Sequence, residues 1–270
     1  MTMCIENTPV TWHPEVNLYV KHEEQCCPGG PNFSKTRGVY AHIAKRTEHT
    51  IGVLDTSHSQ GGWAVTKACM MLGKQPHLWY PAFKQDLDKP LKPQQFTAQQ
   101  LGAHLHPLKP GRSAILYHTA SKLLREVSND FYMLPNALKL PESVDETAAE
   151  VERTDIPTDI NAVLVPASSG TIAAGVLRAL ADKNVAIVVH LGYSRPEDGV
   201  RKYLSQMSGI TGAGDGVTII DEGYNYADAA KNDIELPPWP CDKYYDLKTY
   251  RYWLKEGQKR YGKALLWNIG

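Results

Sequence analysis

The chain has 270 residues, 42% of them hydrophobic and 21% charged, enough for one large or two small domains with a real core. Basic and acidic residues both number 29, so the formal net charge is zero and only a local patch can attract nucleic acid or anionic lipid. Of five cysteines, Cys26 and Cys27 are neighbours and Cys4, Cys69 and Cys241 are scattered, which forms neither a disulfide framework nor paired zinc knuckles and points to a reducing cytoplasm. His22 with Cys26 and Cys27 lacks an obvious fourth metal ligand, so no metal is expected. No stretch approaches the ~20 apolar residues of a membrane span, and no basic region followed by an apolar run opens the chain, so a soluble protein is expected.

The alternation of Val16, Leu18 and Val20 predicts a strand, followed by the turn-rich CCPGGPNFS. A helix begins at Lys35, with Val39, Tyr40 and Ile43 on one face. Thr50–Leu54 reads as a buried strand running into DTSHSQGG. Trp63–Leu72 reads as a helix closed by Gly73. His77–Tyr80 is a short strand, while Lys84–Lys109, rich in Pro and Gln, resists assignment. Helices are expected over Ser113–Val127 and Ser143–Val151. The strand Ala162–Val165 enters PASSGT and the helix Ile172–Ala181. The strand Val185–Leu191, a helix near Pro196–Ser205 and the strand Val217–Ile220 follow. Asp246–Tyr261 patterns as an amphipathic helix, with Leu247, Tyr250, Leu254 and Tyr261 inward and Lys248, Lys255 and Lys259 outward, before the terminal strand ALLWNIG. This alternation predicts an α/β fold with parallel sheets flanked by helices.

Three loop–helix junctions carry chemistry. In Asn32-Phe33-Ser34-Lys35-Thr36-Arg37 a lysine stands where a glycine-rich loop meets a helix start. The positive helix end and partial burial both disfavour its ammonium form, and a neutral amine is what forms a Schiff base with an aldehyde. Ser57-His58-Ser59-Gln60-Gly61-Gly62 offers hydroxyls, an amide and backbone N–H groups at a helix N-terminus, a cradle for a carboxylate. Ser168-Ser169-Gly170-Thr171, between a buried strand and a helix, offers three hydroxyls and several N–H groups to a phosphate; the ending of a Walker A loop is absent.

In this order the three segments resemble the fold-type-II enzymes that depend on pyridoxal 5′-phosphate (PLP), the tryptophan-synthase-β-like superfamily. The resemblance is greatest to the aminocyclopropane-carboxylate deaminase and cysteine desulfhydrase branch, and it runs from about Lys21 to Gly270. GGPNFSKTR is similar to that branch's G-x-N-K-T-R-like motif, which implies Lys35 as the PLP lysine. Ser59-Gln60-Gly61, with Leu72-Gly73 beyond it, is similar to the branch's Ser-Asn-Gln loop and Leu-Gly helix end. Gln60 departs from the asparagine that contacts the PLP phenolic oxygen. SSGTIAAG resembles the phosphate loop. Asp242–Thr249 resembles a D-P-V-Y-E-G-K-S-like stretch, which implies Asp246 as partner of the pyridine nitrogen and Tyr245 as a catalytic hydroxyl. From the residues alone, Asp246 can equally be a helix N-cap.

The resemblance implies two domains, residues 1–46 with 141–270 and residues 47–140, with PLP in the cleft between them, and a homodimer. Lys35, Tyr245 and Ser59 are the expected catalytic residues. Lys35, Gln60, Ser168, Ser169, Gly170, Thr171 and Asp246 are expected to hold the cofactor; Ser57, His58, Ser59 and Gln60 face the substrate. The reaction is lyase-type chemistry at Cα of an amino acid: decarboxylation, deamination or elimination. The span between Tyr80 and Ala162 is shorter than the family pattern, which leaves room for a bulky substrate. This compact form resembles the PLP enzymes with which bacteriophages trim an amino acid attached to thymine in their DNA. The tail from Lys243 to Lys263, basic with interleaved tyrosines, is the candidate DNA contact. The alternatives are a lyase or deaminase of a free small amino acid, and a catalytically silent protein that binds a phosphate ligand.

Overall fold

The computed structural model describes residues 4–56, 58–86 and 89–270. In chain order the elements are β1 (Val10–His13), β2 (Leu18–His22), α1 (Thr36–Ala44), β3 (Thr50–Leu54), α2 (Gly61–Met71), β4 (Gln75–Pro81), α3 (Pro93–Gln100), β5 (His104–Leu108), α4 (Ser113–Val127), β6 (Phe131–Met133), α5 (Pro141–Arg153), β7 (Ala162–Ala167), α6 (Thr171–Leu180), β8 (Ala186–Leu191), α7 (Glu197–Ser208), β9 (Thr218–Ile220), α8 (Asp246–Tyr252), α9 (Gln258–Tyr261) and β10 (Ala264–Asn268). They form two compact units, one of Gly29–Pro31 and Lys35–Glu142, the other of Cys4–Pro28, Asn32–Ser34 and Ser143–Gly270.

The first unit is built on a four-stranded parallel sheet in the order β5-β4-β3-β6. β3 is buried throughout, as expected of a strand covered on both faces. Leu54, Trp79, Leu116, Ala120 and Leu124 form one of its cores. β5 escapes sequence reading because HLHPL carries a proline, which only an edge strand tolerates, and β5 lies at the edge. α1 belongs to this unit, whereas the sequence reading groups it with the C-terminal half. It packs against α2, with Val39 and Ile43 fully buried.

The second unit carries a six-stranded sheet in the order β1-β2-β10-β7-β8-β9, parallel except for the β1–β2 pair. β7 and β10 are buried along their whole length. Val163, Val165, Leu265 and Trp267 pack with α6 residues on one side of the sheet; Leu164, Leu266, Tyr250 and Trp253 form the other core. Gly175 on α6 is demanded by packing: a Cβ there would lie 2.5 Å from Thr147 Cβ.

The C-terminal helix differs from its expected form. A π-helical segment, Trp253–Gly257, separates α8 from α9. Lys248, expected outward, is fully buried; its Nζ donates to the Gly192 carbonyl and lies 4.2 Å from the centre of the Tyr224 ring. Over the described residues no helix is long and apolar enough to cross a membrane.

Candidate active site

Lys35 directly precedes α1 and belongs to the first unit. Its side chain is buried, and Nζ donates to the carbonyl of Ala137 at 3.2 Å. Burial, helped by the charge of Lys139, lowers its pKa from 10.5 to about 7. A substantial share of the lysine is therefore the neutral, nucleophilic amine near neutral pH. Ala137 and Leu138 both have left-handed backbones, with φ of 59° and 49°. Such geometry in non-glycine residues is costly and gathers at sites where function requires it. The sequence places a turn here but gives no sign of its connection with Lys35.

In the same unit, β3 delivers Asp55 to the start of the loop that leads into α2. Burial raises its carboxyl to about 7, although the Thr56 and Gly62 backbones hydrogen-bond to it. The Gly62 N–H donates to Asp55 Oδ1 at 3.1 Å, tying the loop to the first turn of α2. A Cβ on Gly62 would fall 2.6 Å from the Asp55 carboxyl carbon. Asp55 escapes sequence reading because a lone acid after a strand carries no signal. Ser59 Oγ accepts the Gly61 N–H at 2.9 Å. Gln60 stands at the N-cap of α2. Its Oε1, with Thr56 Oγ1 and Trp63 Nε1, is buried without a hydrogen-bond partner among the described residues. His58 is half-buried, and Ser57 lies outside the described residues. Buried polar atoms left unpaired in this loop and in the first turn of α2 fit a bound ligand that supplies the missing partners.

In the second unit, Ser168-Ser169-Gly170-Thr171 joins β7 to α6 as the sequence predicts. Gly170 has φ +91°, and α6 has no side-chain cap on its N-terminus. Ser169 Oγ and Thr171 Oγ1 are 2.9 Å apart, and Thr171 Oγ1 is 2.9 Å from the hydroxyl of Tyr203. Backbone N–H groups, hydroxyls and the positive helix end together fit a phosphate. Tyr203, on α7, belongs to no motif in the sequence.

Tyr245 precedes α8. Burial raises its hydroxyl far above the usual range, against a hydrogen bond with Ser168. The hydroxyl therefore stays protonated near neutral pH and is able to donate a hydrogen bond. Asp246 opens α8 but does not cap it: Oδ1 accepts the Ile269 N–H at 2.8 Å and Oδ2 the Gly270 N–H at 3.0 Å. Burial and the neighbouring Asp242 raise it to about 8, against those two hydrogen bonds. A cation beside it would restore the carboxylate, which fits a partner for a protonated ring nitrogen.

The basic tail is partly neutralised. Arg251 bonds to Asp233 and Glu222, Lys255 to Asp233, and Lys263 to Asp159. Lys243, Lys255, Lys259 and Arg260 are exposed. No group of three or more His, Cys, Asp or Glu able to hold a metal occurs among the described residues.

Comparisons with known proteins agree with this chemistry. The family described as "Pyridoxal-phosphate dependent enzyme" matches residues 1–220. A "Glycyl-dTMP PLP-dependent decarboxylase" of Pseudomonas phage M6 is 48% identical over 284 aligned residues, covering 99% of this chain and all of the relative. Among solved structures, an ACC deaminase homologue has a TM-score of 0.77 at 17% identity, over 100% of this chain and 90% of its own. Threonine deaminase isoform 2 of Solanum lycopersicum has a TM-score of 0.66 at 16% identity, over 99% and 80%. At such identities these structures show a shared α/β fold, and the family match with the full-length relative carries the assignment: the chain belongs to the family of pyridoxal-phosphate-dependent enzymes.

Proposed function

We propose that this PLP enzyme is a decarboxylase acting on a glycyl group carried by a thymine nucleotide. The observation that carries the reading is the full-length relative, 48% identical, whose name states that chemistry. The buried Lys35, poised between ammonium and amine, supports it from the side of the site.

Lys35 would hold the cofactor through its aldehyde, the loop from Ser168 to Thr171 would hold its phosphate, and Asp246 would serve as partner of its ring nitrogen. Bound there, PLP supplies a sink for the electron pair released when a bond at Cα breaks. Gln60 and Ser59 orient the reacting group. Lys35 would deliver to Cα the proton that replaces the departing carbon dioxide; a pKa of about 7 makes both its forms available near neutral pH. The Tyr245 hydroxyl, held protonated by burial, donates a hydrogen bond without removing a proton. When the nucleotide is part of DNA, exposed Lys259 and Arg260 are the groups proposed to meet the phosphate backbone.

The test offers an oligonucleotide bearing glycyl-modified thymine, and free glycine and serine alongside it, to PLP-loaded protein. Loss of one carbon dioxide from the modified base, read by mass spectrometry of the nucleoside, is the expected result. Ammonia or pyruvate from free serine, with the oligonucleotide untouched, overturns the reading in favour of a small-molecule lyase.

A further inference from the structure

Arg195 stands four residues beyond β8, in the second unit. Its Nε and Nη2 are buried and have no hydrogen-bond partner among the described residues. These two groups form one edge of the guanidinium, the edge that grips two oxygens of one anion side by side. The Cζ lies 5.1 Å from the centre of the Tyr193 ring, which leaves that edge available. The nearby acids are bonded to groups other than this guanidinium edge, Asp221 among them through the backbone of Arg195 itself. Asp221 accepts from the Ser194 hydroxyl and the Gly223 N–H, and Glu197 pairs with Arg201. Two donors of a cation, withdrawn from water and unpaired, are costly unless an anion joins them.

The location identifies the anion. The Tyr203 hydroxyl is 2.9 Å from Thr171 Oγ1, within the chain of hydroxyls that includes Ser169. A Cβ on Gly170 would lie 3.3 Å from the Tyr203 ring. Leu191 pairs with Ala167 and the Gly192 N–H donates to the Ala167 carbonyl at 2.9 Å, so the segment that carries Arg195 leaves the sheet beside the loop Ser168–Thr171. The charge of Arg195 also pulls down the Tyr203 hydroxyl, which burial raises. The segment Val165–Gly175 contains no cationic residue, so its hydroxyls and N–H groups leave most of a phosphate dianion's charge uncompensated.

We propose that Arg195, seconded by the hydroxyl of Tyr203, is the cationic element of the phosphate site at Ser168–Thr171 and binds the phosphate of PLP. This rests on the reading that the loop holds that phosphate.

The experiment titrates cofactor-free wild type, Arg195→Gln, Arg195→Lys and Tyr203→Phe with PLP and with pyridoxal, which lacks the phosphate. Capture at Lys35 is counted by mass spectrometry after borohydride, and thermal unfolding of each cofactor-free variant is recorded. Arg195→Gln is expected to weaken PLP by about ten-fold or more, as for a lost hydrogen bond to a charged group, and to leave pyridoxal unchanged. Arg195→Lys should recover part of the loss, and Tyr203→Phe should show a smaller one. An unchanged preference for PLP over pyridoxal in Arg195→Gln overturns the proposal, as does an equal loss of both ligands. Normal PLP affinity with weakened binding of the modified oligonucleotide also overturns it, and assigns Arg195 to a substrate phosphate. Wild type that forms no reducible adduct at Lys35 overturns the underlying reading instead.

Discussion

The Nζ of Lys35 donates to the carbonyl oxygen of Ala137, 102 residues further along the chain, and Ala137 itself has a left-handed backbone. A buried lysine near its titration point is thus parked on a carbonyl that strained geometry presents. Lys35→Ala should abolish covalent PLP capture and leave the fold intact; intact mass after borohydride decides. In wild type, the capture rate should rise with pH through about 7, as the amine loses its proton.

The same lysine affects stability with a definite sign. Its folded pKa of about 7 lies below the unfolded 10.5, so the unfolded chain binds more protons between these values and cofactor-free stability rises with pH across that window. Lys35→Met removes the penalty, and its stability should be flatter from pH 7 to 10. Parallel stability-versus-pH curves for the two proteins would contradict the burial argument.

Asp246→Asn should cost both stability and rate. In the cofactor-loaded protein, where a neighbouring cation keeps Asp246 ionised, an amide offers one acceptor to the N–H groups of Ile269 and Gly270 and turns a donor toward the other, a loss of about 1–3 kcal/mol. A neutral group also cannot keep the ring nitrogen protonated, which should slow turnover on the order of 10²-fold with PLP retained. Normal kcat with lowered melting temperature would leave Asp246 a purely structural role.

Acid should weaken the first unit through its histidine stack. His77 lies 4.5 Å from the His104 ring and 5.2 Å from the His106 ring, and its Nδ1 is 3.0 Å from His106 Nε2. Burial, with the neighbouring His104 and His106, lowers the pKa of His77 to about 4. The unfolded chain takes up this proton near 6.5 and the folded one does not, so stability present above 6.5 is lost as pH falls toward 4. His77→Gln should flatten that decline in a melting-temperature series.

If DNA is the substrate, its binding should depend on salt through exposed residues of the tail, not through Arg251 or Lys263, which are committed to acids. Lys259→Glu with Arg260→Glu should shrink the slope of log affinity against log salt by about 0.9 for each duplex phosphate left without its cation. An unchanged slope removes the tail from the interface.

Local pattern determined the larger part of this protein. Apolar runs such as TIGVL and VAIVVHL, short and rich in β-branched residues, read as interior strands, and glycine-rich junctions before helices place backbone N–H groups where a phosphate or a reactive lysine belongs. Each of those signals is confined to a few consecutive residues, so the α/β class and the loop–helix junctions at Lys35, Gln60 and Ser168–Thr171 were legible, whereas the roles proposed for these residues rest on the resemblance. What pairs with what across the chain was decided only by tertiary structure. Lys248 and Lys259 look alike in a helical pattern, yet one is buried against Gly192 and the other is exposed. Arg195 and Tyr203 carry no motif, and only packing shows a guanidinium edge without a partner and a hydroxyl on Thr171. The reason is physical: periodicity records which side of an element is apolar, whereas burial of charge, a shifted pKa and a converging set of donors arise from neighbours distant in sequence.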